Sequence, residues 1–142
     1  MRQKKKMKLT KAPIANSEML IRKPVEEVFE AFINPEIIEF SGKRFSYEEG
    51  CLSIPGIHED VVREEKILIW YQDENLIEHE EYFDGMNARV IQHEYDHLFG
   101  KLFIDKISPL KKKLLKRRLN DIINGTADVD YPMKFFGKAK AK

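Results

Sequence analysis

The run Gln92-His93-Glu94-Tyr95-Asp96-His97-Leu98 constrains this chain more than any other stretch. Asp84 can cap a helix running from about Met86 to Leu98, and Gly100 supplies its stop. Ala88, Ile91, Tyr95 and Leu98 follow helical spacing, so one face of that helix must be anchored in a core. His93 and His97 then lie on one face, about 6 Å apart, where both imidazoles can reach a single metal ion. Glu94 stands next to His93 and can lean over an open coordination position as a general base. The plainer alternative is a pair of surface histidines on a charged helix.

Cys51 bears on that choice. As the single cysteine it excludes an intramolecular disulfide and any zinc site built from four cysteines. Two helical histidines leave a catalytic metal short of a third ligand, and a thiolate is an acceptable one. Glu49-Gly50-Cys51-Leu52-Ser53 is a short strand-like segment, punctuated by Pro55-Gly56. A glycine beside a ligand lets backbone approach the site, and Ser53 adds a local hydrogen-bonding group. A lone cysteine is ordinarily a small buried hydrophobe. Here a helix that lacks a third ligand favours the metal.

The chain has 142 residues, a length suited to one domain, and its fifteen aromatic residues argue against wholesale disorder. No apolar run approaches the roughly 20 residues of a membrane span, and no signal-peptide core opens the chain, so a cytoplasmic protein with no membrane partner is expected. The net charge of +1 hides segregation. Residues 1–25 hold eight Lys/Arg and one acidic residue; residues 26–100 hold five against nineteen; residues 101–142 hold twelve against four. Basic ends around an acidic middle suit tails that fold back, or nonspecific contact with nucleic acid.

Residues 1–11 read as a basic arm, and Pro24 to Phe32 as a short helix ended by Asn34-Pro35. Ile37-Ile38 and Phe45-Tyr47 read as strands around a Ser41-Gly42 turn. Ile67 to Tyr71 is a buried strand, Asp73-Glu74-Asn75 a turn, and a second strand returns toward Tyr82-Phe83. A last helix runs from Ser108-Pro109 to near Gly125, with Leu110, Leu114, Ile122 and Ile123 available for packing. Strands first and helices later make an α+β fold. His58 and His79 fall in turn or strand-edge settings and carry no assigned role.

Glu49-Gly50-Cys51-Leu52-Ser53 and Gln92 to Leu98 together resemble the second and third signature motifs of peptide deformylase. The resemblance runs from about Ile33 to Tyr131, and includes Asn34-Pro35, Ile54-Pro55-Gly56, Arg63 and Gly100-Lys101-Leu102-Phe103. It implies antiparallel strands around a central metal-binding helix, with a C-terminal helix. It implies one divalent metal ion, iron(II) by family and zinc equally by ligand chemistry, held by Cys51, His93 and His97. Glu94 would move the proton, the Leu52 N–H would help hold an oxyanion, and Arg63 would pair with Asp96 or Glu49. The implied partner is the N-formylmethionyl end of a nascent peptide, with the ribosome as a further one through the basic termini.

The sequence also departs from that family. Its first motif, of the form Gly-x-Gly-x-Ala-Ala-Pro-Gln, is absent: the chain has three glutamines, Gln3, Gln72 and Gln92, and no adjacent alanines. Ala15 to Phe32 resembles instead the opening strand and helix of a START-related helix-grip domain. This divides the chain into residues 1–32, a basic arm with that segment, and residues 33–142, the deformylase-like metal-binding domain. The expected function is hydrolysis of the N-formyl group, lowered by loss of the first motif. The alternative is a noncatalytic metal-binding relative that meets RNA or the ribosome.

Overall fold

The computed structural model describes residues 18–21, 30–129 and 131. Four antiparallel strands form one sheet in sequential order: β1 (Glu18–Ile21), β2 (Glu30–Cys51), β3 (Ile54–Gln72) and β4 (Glu78–Asp84). Two helices follow, α1 (Gly85–Leu98) and α2 (Pro109–Ile123), with a single 3₁₀ turn at Phe103–Asp105 between them. This is the expected α+β arrangement. No described helix is long and apolar enough to cross a membrane.

β2 and β3 make a long hairpin closed by Leu52-Ser53, with Cys51 opposite Ile54. The Pro55-Gly56 pair, expected to punctuate the segment, therefore lies inside β3. Ser41-Gly42, expected as a turn, is a bulge in β2, where the register shifts between Ser41 and Arg44. A bulge absorbs an extra residue while the ladder on either side keeps its backbone groups paired. Ending the strand there would forfeit that pairing.

The helix expected over Pro24–Phe32 is also corrected at its end. Residues 30–32 begin β2, paired with β1 through Ile21↔Glu30 and Met19↔Phe32, while residues 22–29 lie outside the described residues. Phe32 supplies the reason. It is buried, with its ring edge-on to Tyr71 at 4.1 Å and to Phe83 at 5.9 Å. Burying such a side chain is worth about 1.5–3 kcal/mol, more than the ~0.7 kcal/mol that separates ordinary residues in helix propensity.

Along β3, Val61, Arg63, Ile67, Ile69 and Tyr71 are buried with the two-residue period of a strand. Ile67, Ile69 and Tyr71 pack with Phe32 and with Ala88 and Ile91 of α1. A second cluster joins Ile54, Ile57 and Val61 to Phe103, Ile104, Ile107 and Leu115. Arg63 falls between the two along β3, and the site is built around it.

Asp84 takes the N-cap position of α1, but its side chain makes no capping hydrogen bond. At the other end Gly100 adopts φ +67°, and the Phe99 and Lys101 N–H groups both donate to the Asp96 carbonyl. That left-handed residue is the usual way to close a helix. α2 starts with Ser108 Oγ accepting from the Lys111 N–H at 3.3 Å. Its inward face is Leu115, Leu119 and Ile122; Leu110, Leu114 and Ile123, expected to pack, face solvent. Two apolar stripes run along α2, and β3 with the 3₁₀ turn covers one of them.

Candidate metal centre

Cys51 ends β2, and His93 and His97 stand one turn apart on α1. Their donor atoms all lie within 4.8 Å of one another. Cys51 Sγ is 3.4 Å from His97 Nε2, and the two imidazole rings are T-shaped with centroids 4.9 Å apart. One sulfur and two imidazole nitrogens at this separation fit a divalent transition ion, with a fourth position left over. Beside Cys51, Gly50 lies against the His58 ring of the facing strand, where an added Cβ would sit 2.5 Å from that ring. His79 lies elsewhere, its Nε2 3.0 Å from Asp73 Oδ2.

Glu49 is the hub behind the donors. Its Oε1 accepts from Arg63 Nε at 2.7 Å and Arg89 Nη1 at 2.6 Å. Its Oε2 accepts from Arg63 Nη2 at 2.9 Å and lies 3.0 Å from His93 Nδ1. An ionised carboxylate only accepts, so His93 carries a proton on Nδ1, and Nε2 is the nitrogen that could ligate an ion by giving up its own proton. Burial opposes the charge on Glu49, but the hydrogen bonds from His93, Arg63 and Arg89 outweigh it and hold the carboxyl at about 2. Arg63 also donates from Nη1 to Asp96 Oδ2 at 2.7 Å, so it takes both of the partners between which the sequence left a choice.

Burial likewise favours the neutral thiol of Cys51. The His93 imidazole, with the backbone and hydroxyl of Ser53, favours the thiolate more and brings the group down to about 7. Hydrogen bonding to Cys51 and then Glu49 raises His93 to about 9, against the effect of burial. Sulfur and imidazole thus favour each other's charged forms across the place where an ion would sit.

Glu94 is half-buried and lines the same cleft of about 440 Å³ as the three donors. It makes no hydrogen bond or ion pair among the described residues, in contrast to Glu49. Leu52, in the hairpin turn, is 79% exposed at the cleft rim, and its carbonyl accepts from the Tyr131 hydroxyl at 2.7 Å. Met86 and Val90 of α1 add partly exposed apolar side chains to the cleft.

Sequence reasoning missed Arg89 and Gln92. Arg89 is 2% exposed and bridges Glu49 to the Val61 and Phe45 carbonyls. Gln92 ties α1 to β3 by donating to the Glu64 carbonyl at 2.9 Å. A signal was available: Arg89 lies four residues before His93 and therefore shares the helix face that carries the histidine pair. A charge there calls for a buried partner.

A family model described as polypeptide deformylase matches residues 3–113, which includes the whole of the segment, Ala15 to Phe32, whose string resembles a helix-grip opening. A peptide deformylase of Christiangramia forsetii is 48% identical over 134 residues, covering 92% of this chain and 68% of the relative. One of Cytophaga hutchinsonii is 53% identical over 111 residues, covering 78% and 60%. Among solved structures, Plasmodium falciparum peptide deformylase superposes with a TM-score of 0.63 at 43% identity, over 67% of this chain and 55% of that one. Arabidopsis thaliana peptide deformylase 1B gives 0.70 at 32% identity, over 75% and 60%. The chain thus spans about two thirds or less of these proteins. Because the match takes in both the Cys51 hairpin and helix α1, and extends over most of the sequence, this chain belongs to the peptide deformylase family.

Proposed function

We propose that this chain hydrolyses the N-formyl group of N-formylmethionyl peptides with one divalent ion held by Cys51, His93 and His97. The observation that carries the reading is the convergence of those three donors within 4.8 Å beside Glu94, in one open cleft. The ion, iron(II) by family likeness or zinc by ligand chemistry, would supply the Lewis acidity for attack of water on an amide. Glu94 takes a proton from the attacking water and returns it to the leaving amine. The Leu52 N–H helps hold the oxyanion. Glu49 keeps the His93 Nδ1 proton in place, and the apolar surface of Met86 and Val90 suits a methionyl side chain. Release of formate and a free amino terminus completes the reaction.

The test is formate release from formyl-Met-Ala-Ser by metal-loaded protein. Glu94→Gln is expected to keep the metal and to lose at least about 10²-fold in turnover. Loss of metal in that variant would make Glu94 a ligand, and unchanged turnover would remove it from the reaction.

The absent first motif bears on the rate and sets residues 1–32 apart from residues 33–142, although the 32/33 join falls inside β2. A preorganised oxyanion donor is worth about 10²–10³-fold, so the 142-residue chain is expected to work at least ~10²-fold below a version carrying the motif. The comparison places a Gly-x-Gly-x-Ala-Ala-Pro-Gln-bearing segment in place of residues 1–32 and measures kcat/KM at equal metal occupancy. Equal rates would mean that residues 1–32 complete the oxyanion site by other means. A second, noncatalytic reading keeps one supporting observation: α2 exposes Lys113, Lys116 and Arg117, which would suit ribosomal RNA. Metal at one ion per chain with no formate from either version would favour it.

A further inference from the structure

We propose that Arg89 is a positioning residue of the metal centre, acting through Glu49 on His93. The inference rests on the reading of Cys51, His93 and His97 as metal ligands. Glu49 sits on β2, and His93 must present Nε2 in one direction for a shared ion to form. Arg63, from β3, grips Glu49 as a fork, with Nε on Oε1 and Nη2 on Oε2. A fork from one direction leaves the carboxylate free to swing about that axis. Arg89 approaches from α1 and puts Nη1 on Oε1 at 2.6 Å, which removes the swing.

Arg89 is itself fixed. Its Nη2 donates to the Phe45 carbonyl at 2.7 Å, its Nη1 also reaches the Val61 carbonyl at 3.1 Å, and its guanidinium lies 4.3 Å over the Phe45 ring. The side chain therefore ties α1 to both strands of the long hairpin at the level of Glu49. Arg89 and His93 are four residues apart, so they meet the carboxylate from the same helix face. The position of Glu49 is thus referred to the helix that carries the histidines, as well as to the sheet that carries Cys51.

The cost of the arrangement supports a placed role. Arg89 is a second buried guanidinium on the Glu49 carboxylate, which it shares with Arg63, and taking that cation out of water is costly. Arg89 Nε is also buried without a hydrogen-bond partner among the described residues. The side chain gives up that bond while both Nη groups remain on Glu49 and the two carbonyls. Partners behind ligating histidines typically change metal affinity by about 10–100-fold when removed.

The experiment uses Co²⁺ alone, with affinity measured by chelator competition and the visible spectrum recorded for the bound ion, on the full chain and its variants. Arg89→Met is expected to bind Co²⁺ about 10–100-fold more weakly with the protein still folded by circular dichroism. The loss should shrink markedly when Glu49→Gln is already present, because Arg89 would then have no carboxylate to hold against His93; independent, additive losses would overturn the inference. Arg89→Lys keeps the charge but loses the planar fork whose two nitrogens hold Glu49 and the Phe45 carbonyl in fixed relation, so a weaker Co²⁺ complex with an altered spectrum is expected. Wild-type affinity and spectrum in either folded variant overturns the proposal. So does failure of both variants to fold, which would make Arg89 a brace of the fold. Failure of the unaltered chain to bind Co²⁺ overturns the metal reading itself, and this inference with it.

Discussion

His97→Ala and Cys51→Ser proteins are expected to bind a divalent ion at least about 10²-fold more weakly than the unaltered chain, which should hold about one per molecule. The size follows from ligand number. A zinc-type site built by protein ligands is worth roughly 10–16 kcal/mol, and removing one of three ligands forfeits about a third of that. Serine at position 51 is a conservative change in size, yet its hydroxyl stays protonated near neutrality, where the neighbours of Cys51 hold the thiol at about 7. Alanine at position 97 removes the nitrogen that lies 3.4 Å from the sulfur. His79→Ala is the control, since that ring is engaged with Asp73 away from the site, and it should keep full occupancy. Elemental analysis after dialysis reads the result. Stoichiometric metal in both folded ligand variants would end the assignment.

Arg63→Met is expected to destabilise the fold by about 3–5 kcal/mol, the usual loss when one partner of a buried ion pair is removed. Arg63 is 2% exposed and serves two carboxylates, Glu49 and Asp96. Methionine leaves Glu49 with Arg89 and His93, and Asp96 with Lys106 at 3.2 Å, so the lower end of the range is the better estimate. A chemical denaturation midpoint with unchanged slope would read it. Replacing Glu49 by glutamine in the same protein should deepen the loss, because Arg89 then remains a buried cation without a carboxylate partner. A change within about 0.5 kcal/mol would show that the network is solvated in solution, as surface substitutions are.

How much of this was legible in the sequence depended on distance along the chain. Helix α1 was, from its histidine pair, its apolar spacing and its glycine stop, because each of those signals acts within a turn or two. The stop at Gly100 and the start of α2 at Ser108-Pro109 were legible for the same reason. Phe32 was not: its local string reads as helix, and only the rings of Tyr71 and Phe83 pull it into a strand. Ser41-Gly42 and Pro55-Gly56 carry turn residues, yet the ladder between β2 and β3 runs past both. On α2, Leu110 and Leu114 are as apolar as Leu115, and nothing local says which of the two stripes will meet β3.

The site divides along the same line. The sequence alone determined which side chains could do the chemistry, and that His93, His97 and Glu94 share one helix, since positions one turn apart are neighbours by backbone geometry. Tertiary structure alone decided that Cys51 lies beside them, that Glu49 rather than Glu48 faces inward, and that Arg89 turns to meet it. Those contacts join residues 40 or more positions apart. They depend on the register of β2, where a slip of one residue would carry every side chain to the opposite face of the sheet. Register is set by the sum of pairings and buried surface over the whole hairpin, so no short stretch of the chain contains it.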